Sequence, residues 1–129
     1  MQAQISNVTL GVKDLKRAKD FYSSLGFILD QDHPGFVSFK SREGSTGLSL
    51  YLRDALAKDA GVDADGQGFA GVVFNFIVTS TDQVDEMLEQ AKRGGGVVVR
   101  PGQQAKWGGY FGHFADPDGQ LWKVAMASY

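Results

Sequence analysis

The residue pattern predicts an α+β fold made of two copies of a strand–helix–three-strand (βαβββ) unit. Three observations lead there. Two segments of strict alternation, Ile5 to Val12 and Val72 to Val78, each run into a helix start signal. Each helix is followed by short apolar strands separated by turn residues. The chain then closes on a hairpin around Asp116-Pro117-Asp118-Gly119, whose register can be read from the turn itself.

The first strand puts Val8, Leu10 and Val12 on one face and Asn7, Thr9 and Gly11 on the other. Asp14 is placed to cap a helix on which Leu15, Ala18, Tyr22 and Leu25 recur at helical spacing, and Gly26 is placed to end it. Phe27 to Leu29 and Phe36 to Phe39 read as short strands around a turn at His33-Pro34-Gly35. Leu48, Leu50 and Leu52 alternate with Ser49, Tyr51 and Arg53 in a fourth strand. Asp54 to Gly68 reads as a connector with a short helix at Ala55 to Asp59.

The second half repeats the order. Val72, Phe74, Phe76 and Val78 alternate with Val73, Asn75 and Ile77. Ser80 and Gln83 fit a capping box. Val84, Met87, Leu88 and Ala91 form the apolar stripe of a helix that Gly94 can stop, and Val97 to Val99 is a strand expected to end before Pro101. In the closing hairpin, Pro117 suits a type I turn and Gly119 the left-handed position after it. That bulged turn pairs Asp116 with Gln120, Ala115 with Leu121, Phe114 with Trp122 and His113 with Lys123. Phe114 and Trp122 then share one face, and His113 and Lys123 the other.

The bulk numbers narrow the function classes. The chain has 129 residues, which suffice for one core and not two, so residues 1–129 read as a single domain: repeat one about 4–53, linker about 54–69, repeat two about 70–127. Thirteen basic against fifteen acidic residues leave a net charge of −2, with no basic run to suggest nucleic acid or an anionic membrane. The absence of cysteine excludes disulfides and thiol nucleophiles. Met1-Gln2-Ala3-Gln4 leads straight into a strand without a charged and apolar leader, so a cytoplasmic location is expected. Gly94-Gly95-Gly96 is not a phosphate loop, because it ends a helix and no Gly-Lys-Ser/Thr follows.

Alternation also partitions the sheet faces. Val8, Leu10, Leu48, Leu50, Leu52, Val72, Phe74, Phe76, Phe114, Trp122 and Val124 should cover the helices. Asn7, Thr9, Ser49, Tyr51, Arg53, Val73, Asn75, Ile77, Phe111, His113, Leu121 and Lys123 should line the opposite, ligand-facing side.

Val12-Lys13-Asp14-Leu15, with Phe21-Tyr22, Leu25-Gly26-Phe27 and the closing hairpin, resembles the vicinal oxygen chelate superfamily of glyoxalases, bleomycin-resistance proteins and extradiol dioxygenases. The resemblance implies a curled mixed sheet, a half-barrel with helices outside and a concave ligand-binding face, and it implies a homodimer. In the metalloenzymes of that group, His, Glu or Gln from four strands holds a metal ion. By the resemblance those positions fall at Asn7, near Ser49, at Val73 and at Lys123. Asn is at best a weak donor, Ser a poor one, Val none, and a protonated Lys repels a cation. No metal or other cofactor is therefore expected.

The expected ligand-binding residues are Asn7, Ser49, Tyr51, Asn75, Trp107, Phe111, His113 and Lys123. His113 is either a functional donor or base beside Lys123, or a structural histidine satisfied by a neighbour. Lys123 either meets an anionic ligand or reaches water along its own stem. Trp107, Tyr110 and Phe111 either stack on a planar ligand or pack the hairpin or a dimer seam. His33 and Arg53 are expected at the surface. The leading reading is a protein that binds a small organic molecule without metal. A metal-independent isomerase or lyase of the same fold is the alternative, and a metal-dependent lyase or dioxygenase with a rearranged site the second. Whether there is turnover stays open, and no catalytic residue is assigned.

Overall fold

The structure, a computed structural model, describes residues 4–66, 68–106 and 108–126. The chain divides into two compact units after Gly66. The first runs β1 (Asn7–Val12), α1 (Leu15–Ser24), β2 (Leu29–His33), β3 (Phe36–Phe39), β4 (Gly47–Leu52) and α2 (Arg53–Ala60). Its sheet has the order β1-β4-β3-β2, with β1 parallel to β4 and the other pairs antiparallel. The second runs β5 (Val73–Ile77), α3 (Thr81–Arg93), β6 (Val97–Gln104), β7 (Tyr110–Ala115) and β8 (Leu121–Met126). Its sheet repeats the arrangement as β5-β8-β7-β6, with β5 parallel to β8. These are the two βαβββ units of an α+β fold. Among the described residues no helix is long and apolar enough to cross a membrane.

Helices α1 and α3 begin where cap chemistry allows. Asp14 accepts the backbone N–H of Arg17 at 3.0 Å, and Ser80 accepts that of Gln83 at 3.1 Å. The expected capping box is displaced by one residue, since the Gln83 amide oxygen accepts from the backbone N–H of Thr79 at 2.8 Å. In α3, Asp82 lies in the first turn and Lys92 and Arg93 in the last, which suits the helix dipole at both ends. Helices α1 and α3 each lay an apolar stripe on their own sheet. Ala18, Phe21, Tyr22 and Leu25 are buried with Val37, Phe39, Leu48 and Leu50 in the first unit. Val84, Leu88 and Ala91 are buried with Phe114, Trp122 and Val124 in the second.

Four expectations need correction. Strand β2 starts at Leu29 and runs to His33, so the turn is Pro34-Gly35 alone. Phe27 instead packs its ring 5.8 Å from Tyr22 and 5.6 Å from Phe39. Arg53 does not end β4 but opens α2, which packs on β1 and β4. Gly11 makes that approach possible: a Cβ there would lie 3.1 Å from the Arg53 Cα. Val72 lies outside β5 and is exposed, as is Leu52 at the end of β4. Finally, β6 does not end before Pro101. It continues to Gln104 through register shifts between Val98 and Arg100 and between Arg100 and Gln103. An irregular edge strand is where a residue without an N–H is tolerated.

Candidate functional site

The closing hairpin is built from its turn outward. Asp116 is buried, and its Oδ1 accepts the backbone N–H groups of Asp118 at 2.9 Å and Gln120 at 2.8 Å. The Asp116 N–H donates to the Gln120 carbonyl and the Gly119 N–H to the Asp116 carbonyl, both at 2.9 Å. Gly119 takes a φ of +89°, as the bulge requires. The pairing that follows is Ala115 with Leu121, Phe114 with Trp122 and His113 with Lys123. Phe114 and Trp122 are buried with rings 3° from parallel, and Phe76 stacks 4.7 Å from Trp122. His113 and Lys123 consequently face away from α3, half-buried.

Across the second sheet these two belong to one transverse row. Arg100 on β6 pairs with His113, His113 with Lys123, and Lys123 with Asn75 on β5. Phe111 lies two residues before His113 on the same face of β7, its ring 5.7 Å from the imidazole and edge-on to it. Both cations lie over that ring. The Arg100 Cζ is 5.2 Å and the Lys123 Nζ 5.0 Å from its centroid. Asn75 is exposed, its amide 3.4 Å from the Val73 carbonyl.

Burial, then the charges of Lys123 and Arg100, hold His113 below the ordinary imidazole value of 6.5. The ring is therefore neutral near pH 7. Its Nδ1 is buried without a hydrogen-bond partner. A buried bare lone pair costs less than a buried orphaned N–H, and nearby cations favour it further. The hydrogen accordingly belongs on Nε2.

The first unit brings together Asn7, Thr9 and Ser49. The Asn7 amide donates to the Thr9 hydroxyl at 3.2 Å and the Ser49 hydroxyl at 3.3 Å. Tyr51 packs edge-on to Phe36 at 6.2 Å. Trp107 lies outside the described residues. His33 is exposed with its Nε2 3.2 Å from the Gln31 amide oxygen. A shallow depression of about 360 Å³ in this unit is lined by Leu15, Lys16, Lys19 and Asp32 among others. Its two lysines are already matched, Lys16 by Asp20 at 2.7 Å and Lys19 by Asp32 at 3.1 Å. The chemistry-bearing row of the second unit is elsewhere.

Arg100 was not among the expected site residues. Reading β6 as Val97 to Val99, ended before Pro101, left it outside the sheet. The bulge that returns it is held from α3. The Tyr110 hydroxyl donates to Asp85 at 2.8 Å, and this hydrogen bond raises the phenol above its ordinary value. A Cβ at Gly102 would collide with both Tyr110 and Asp85.

A family described as Glyoxalase/Bleomycin resistance protein/Dioxygenase superfamily matches residues 4–124. The chain belongs to this superfamily. Among solved structures, a glyoxalase-related enzyme from Fulvimarina pelagi matches this superfamily member with a TM-score of 0.89 and 26% identity, over 98% of this chain and 89% of that one. A glyoxalase/bleomycin resistance protein/dioxygenase from Nocardioides gives 0.78 at 23% identity, over 98% and 84%. A lactoylglutathione lyase from Agrobacterium tumefaciens gives 0.72 at 22%, over 98% and 96%. The last two likenesses are of fold alone. No curated protein matches the chain significantly.

The metal of the superfamily's metalloenzymes does not fit these side chains. At the four positions implied by resemblance stand Asn7 and Ser49, bonded to each other, then Val73 and Lys123. Among the described residues, no three His, Cys, Asp or Glu side chains are grouped so as to hold an ion.

Proposed function

We propose that this superfamily member binds a small organic ligand on the polar face of its second sheet, without a metal ion. The observation that carries this reading is the pairing of Lys123 with His113 on one sheet face, at a position where the resemblance to the superfamily's metalloenzymes implies a metal-binding carboxylate. An ammonium repels a cation and attracts an anion. The neutral His113 supports the reading by offering an N–H donor next to that charge.

The test is thermal unfolding with zinc, nickel or manganese, then with chelator. A specifically bound ion at a hundredfold excess over Kd would add about 2.7 kcal/mol. No specific shift in either direction is expected, and a stabilisation that chelator reverses would overturn the proposal. Native mass spectrometry of the purified protein then identifies any organic molecule carried with it.

A second reading, metal-independent isomerisation, draws on the same depressed imidazole, which is neutral and so able to take a proton. It requires the tautomer that buries an orphaned N–H on Nδ1, so the binding reading is preferred. Turnover lost in His113→Gln with ligand affinity retained would reverse that preference.

A further inference from the structure

The first sheet also has a face turned away from α1, and its chemistry is unlike that of the second. Leu10, Leu50 and Val37 are register partners on β1, β4 and β3, and all three are buried. Alternation puts Thr9, Ser49 and Ser38 on the opposite side as a second paired row, which Gln31 on β2 extends. The adjoining row holds Gly11, Tyr51, Phe36 and His33. Neither row contains a carboxylate, an ammonium or a guanidinium, whereas a face open to water ordinarily mixes both signs of charge. At the Gly11 end the face is closed by α2, since a Cβ there would lie 3.1 Å from the Arg53 Cα. Arg53 is drawn off to the connector, its Nε donating to the Ala64 carbonyl at 2.9 Å.

The hydrogen bonds of this face leave donors over. The Thr9 oxygen accepts from the Asn7 amide at 3.2 Å, and the Ser38 oxygen from the Gln31 backbone N–H at 3.2 Å. Ser49 donates its own proton to the Asn7 amide oxygen at 3.4 Å. The hydroxyl protons of Thr9, Ser38 and Tyr51 meet no acceptor among the described residues. Tyr51 lies two residues beyond Ser49, diagonal to both Thr9 and Ser38 at a backbone separation of roughly 7–8 Å, which one small molecule spans. Its ring, half-buried like that of Phe36 and edge-on to it at 6.2 Å, adds apolar surface beside the donors. We propose that this face of the first sheet is a separate binding site for a neutral polyhydroxylated ring, a pyranose, whose oxygens accept from Thr9, Ser38 and Tyr51 and whose C–H groups lie against Tyr51 and Phe36. A charged ligand would lose its hydration there without an opposite charge to meet it. A wholly apolar ligand would strand the three hydroxyls. A sugar ring avoids both costs, because its hydroxyls accept as well as donate and its C–H groups are apolar. The site stands beside the second-sheet reading and does not depend on it.

Four glycosides test this on the full chain at neutral pH, by calorimetry and by NMR of the backbone amides. Methyl β-glucoside and phenyl β-glucoside are neutral. Methyl β-glucuronide and methyl 6-amino-6-deoxy-β-glucoside carry the same ring with one negative or one positive charge. The neutral glucosides should move the Thr9, Ser38 and Tyr51 amides and leave those of His113 and Lys123 in place. They should bind about tenfold tighter than either charged analogue. Tyr51→Phe and Ser38→Ala should each weaken the neutral glucosides about fivefold, the worth of one neutral hydrogen bond. Tyr51→Phe removes a hydroxyl that donates to nothing in the described protein, so its Tm should not change and the fold is retained. Glu89→Gln, exposed on α3, should leave binding as it was. Tighter binding of the phenyl glucoside assigns a glycoside of an aromatic alcohol, and equal or weaker binding the bare sugar; either supports the proposal. A charged analogue binding as tightly as the neutral glucosides would overturn it, as would affinity unchanged in both variants. Amide shifts confined to β7 and β8, or none with any of the four up to their solubility, would overturn it as well. The metal titration and native mass spectrometry decide the second-sheet reading independently of these outcomes.

Discussion

Gly112 ties the core of the second unit to its polar face, and Gly112→Ala measures how tightly. The residue stands on β7 between Phe111 and His113. A Cβ there would lie 2.6 Å from the Leu88 Cδ1, 2.9 Å from the Arg100 carbonyl oxygen and 3.3 Å from the Gly102 nitrogen. The leucine tip can rotate away. The two backbone atoms belong to the β6 bulge and yield only if that strand moves. Overpacking of this kind costs about 1–3 kcal/mol. Restricting the unfolded chain offsets about 0.4–1 kcal/mol of it. A net destabilisation of about 1–2 kcal/mol is expected, and each kcal/mol corresponds to about 4 °C for a chain of this length. Urea and thermal unfolding measure the loss. NMR should show the His113 ring shifted as well, because displacing β6 moves Arg100 away from it. Gly35→Ala is the comparison: nothing lies within 4 Å of its Cβ position, so it should be neutral or slightly stabilising. If Gly112→Ala were as stable as Gly35→Ala, the close approach of β6 and α3 to β7 would be wrong.

Two further predictions concern the same sheet. His113 is held below 6.5 by burial, then by Lys123 and Arg100, so the unfolded chain takes up this proton more readily than the folded one. The stability it contributes is fully present above about pH 6.5 and is lost as pH falls through the lower folded value; His113→Gln should therefore show a shallower fall in Tm below pH 6.5, and identical slopes would refute this. Asp116→Ala removes the acceptor of two backbone N–H groups in the buried turn, which should cost about 3 kcal/mol in chemical unfolding. A loss under 1 kcal/mol would mean that the bulge is held by its backbone bonds alone.

The parts of this protein legible in its sequence are those governed by neighbouring residues. Asp14 and Ser80 cap helices because a short polar side chain reaches the N–H three residues on. Asp116-Pro117-Asp118-Gly119 sets its own register, and period-two alternation then carries His113 and Lys123 to one face without reference to the rest of the fold. The two repeats and the buried Phe114 and Trp122 follow from the same local periodicities. Arg100 obeys no such rule. Its place in the row depends on a bulge that opposes β7, and that bulge is braced by Tyr110 on β7 and Asp85 on α3, 25 residues apart in sequence. Likewise, the short helix expected at Ala55 to Asp59 forms within α2, but its seat against the sheet depends on Gly11, on a distant strand. Nor did the sequence indicate that Arg100 and Lys123 would each lie over the Phe111 ring. Turn and cap chemistry act over a few residues, so one stretch of chain specifies them. A row of polar groups drawn from several strands exists only once packing has chosen the register of each, and its members carry no local mark of one another.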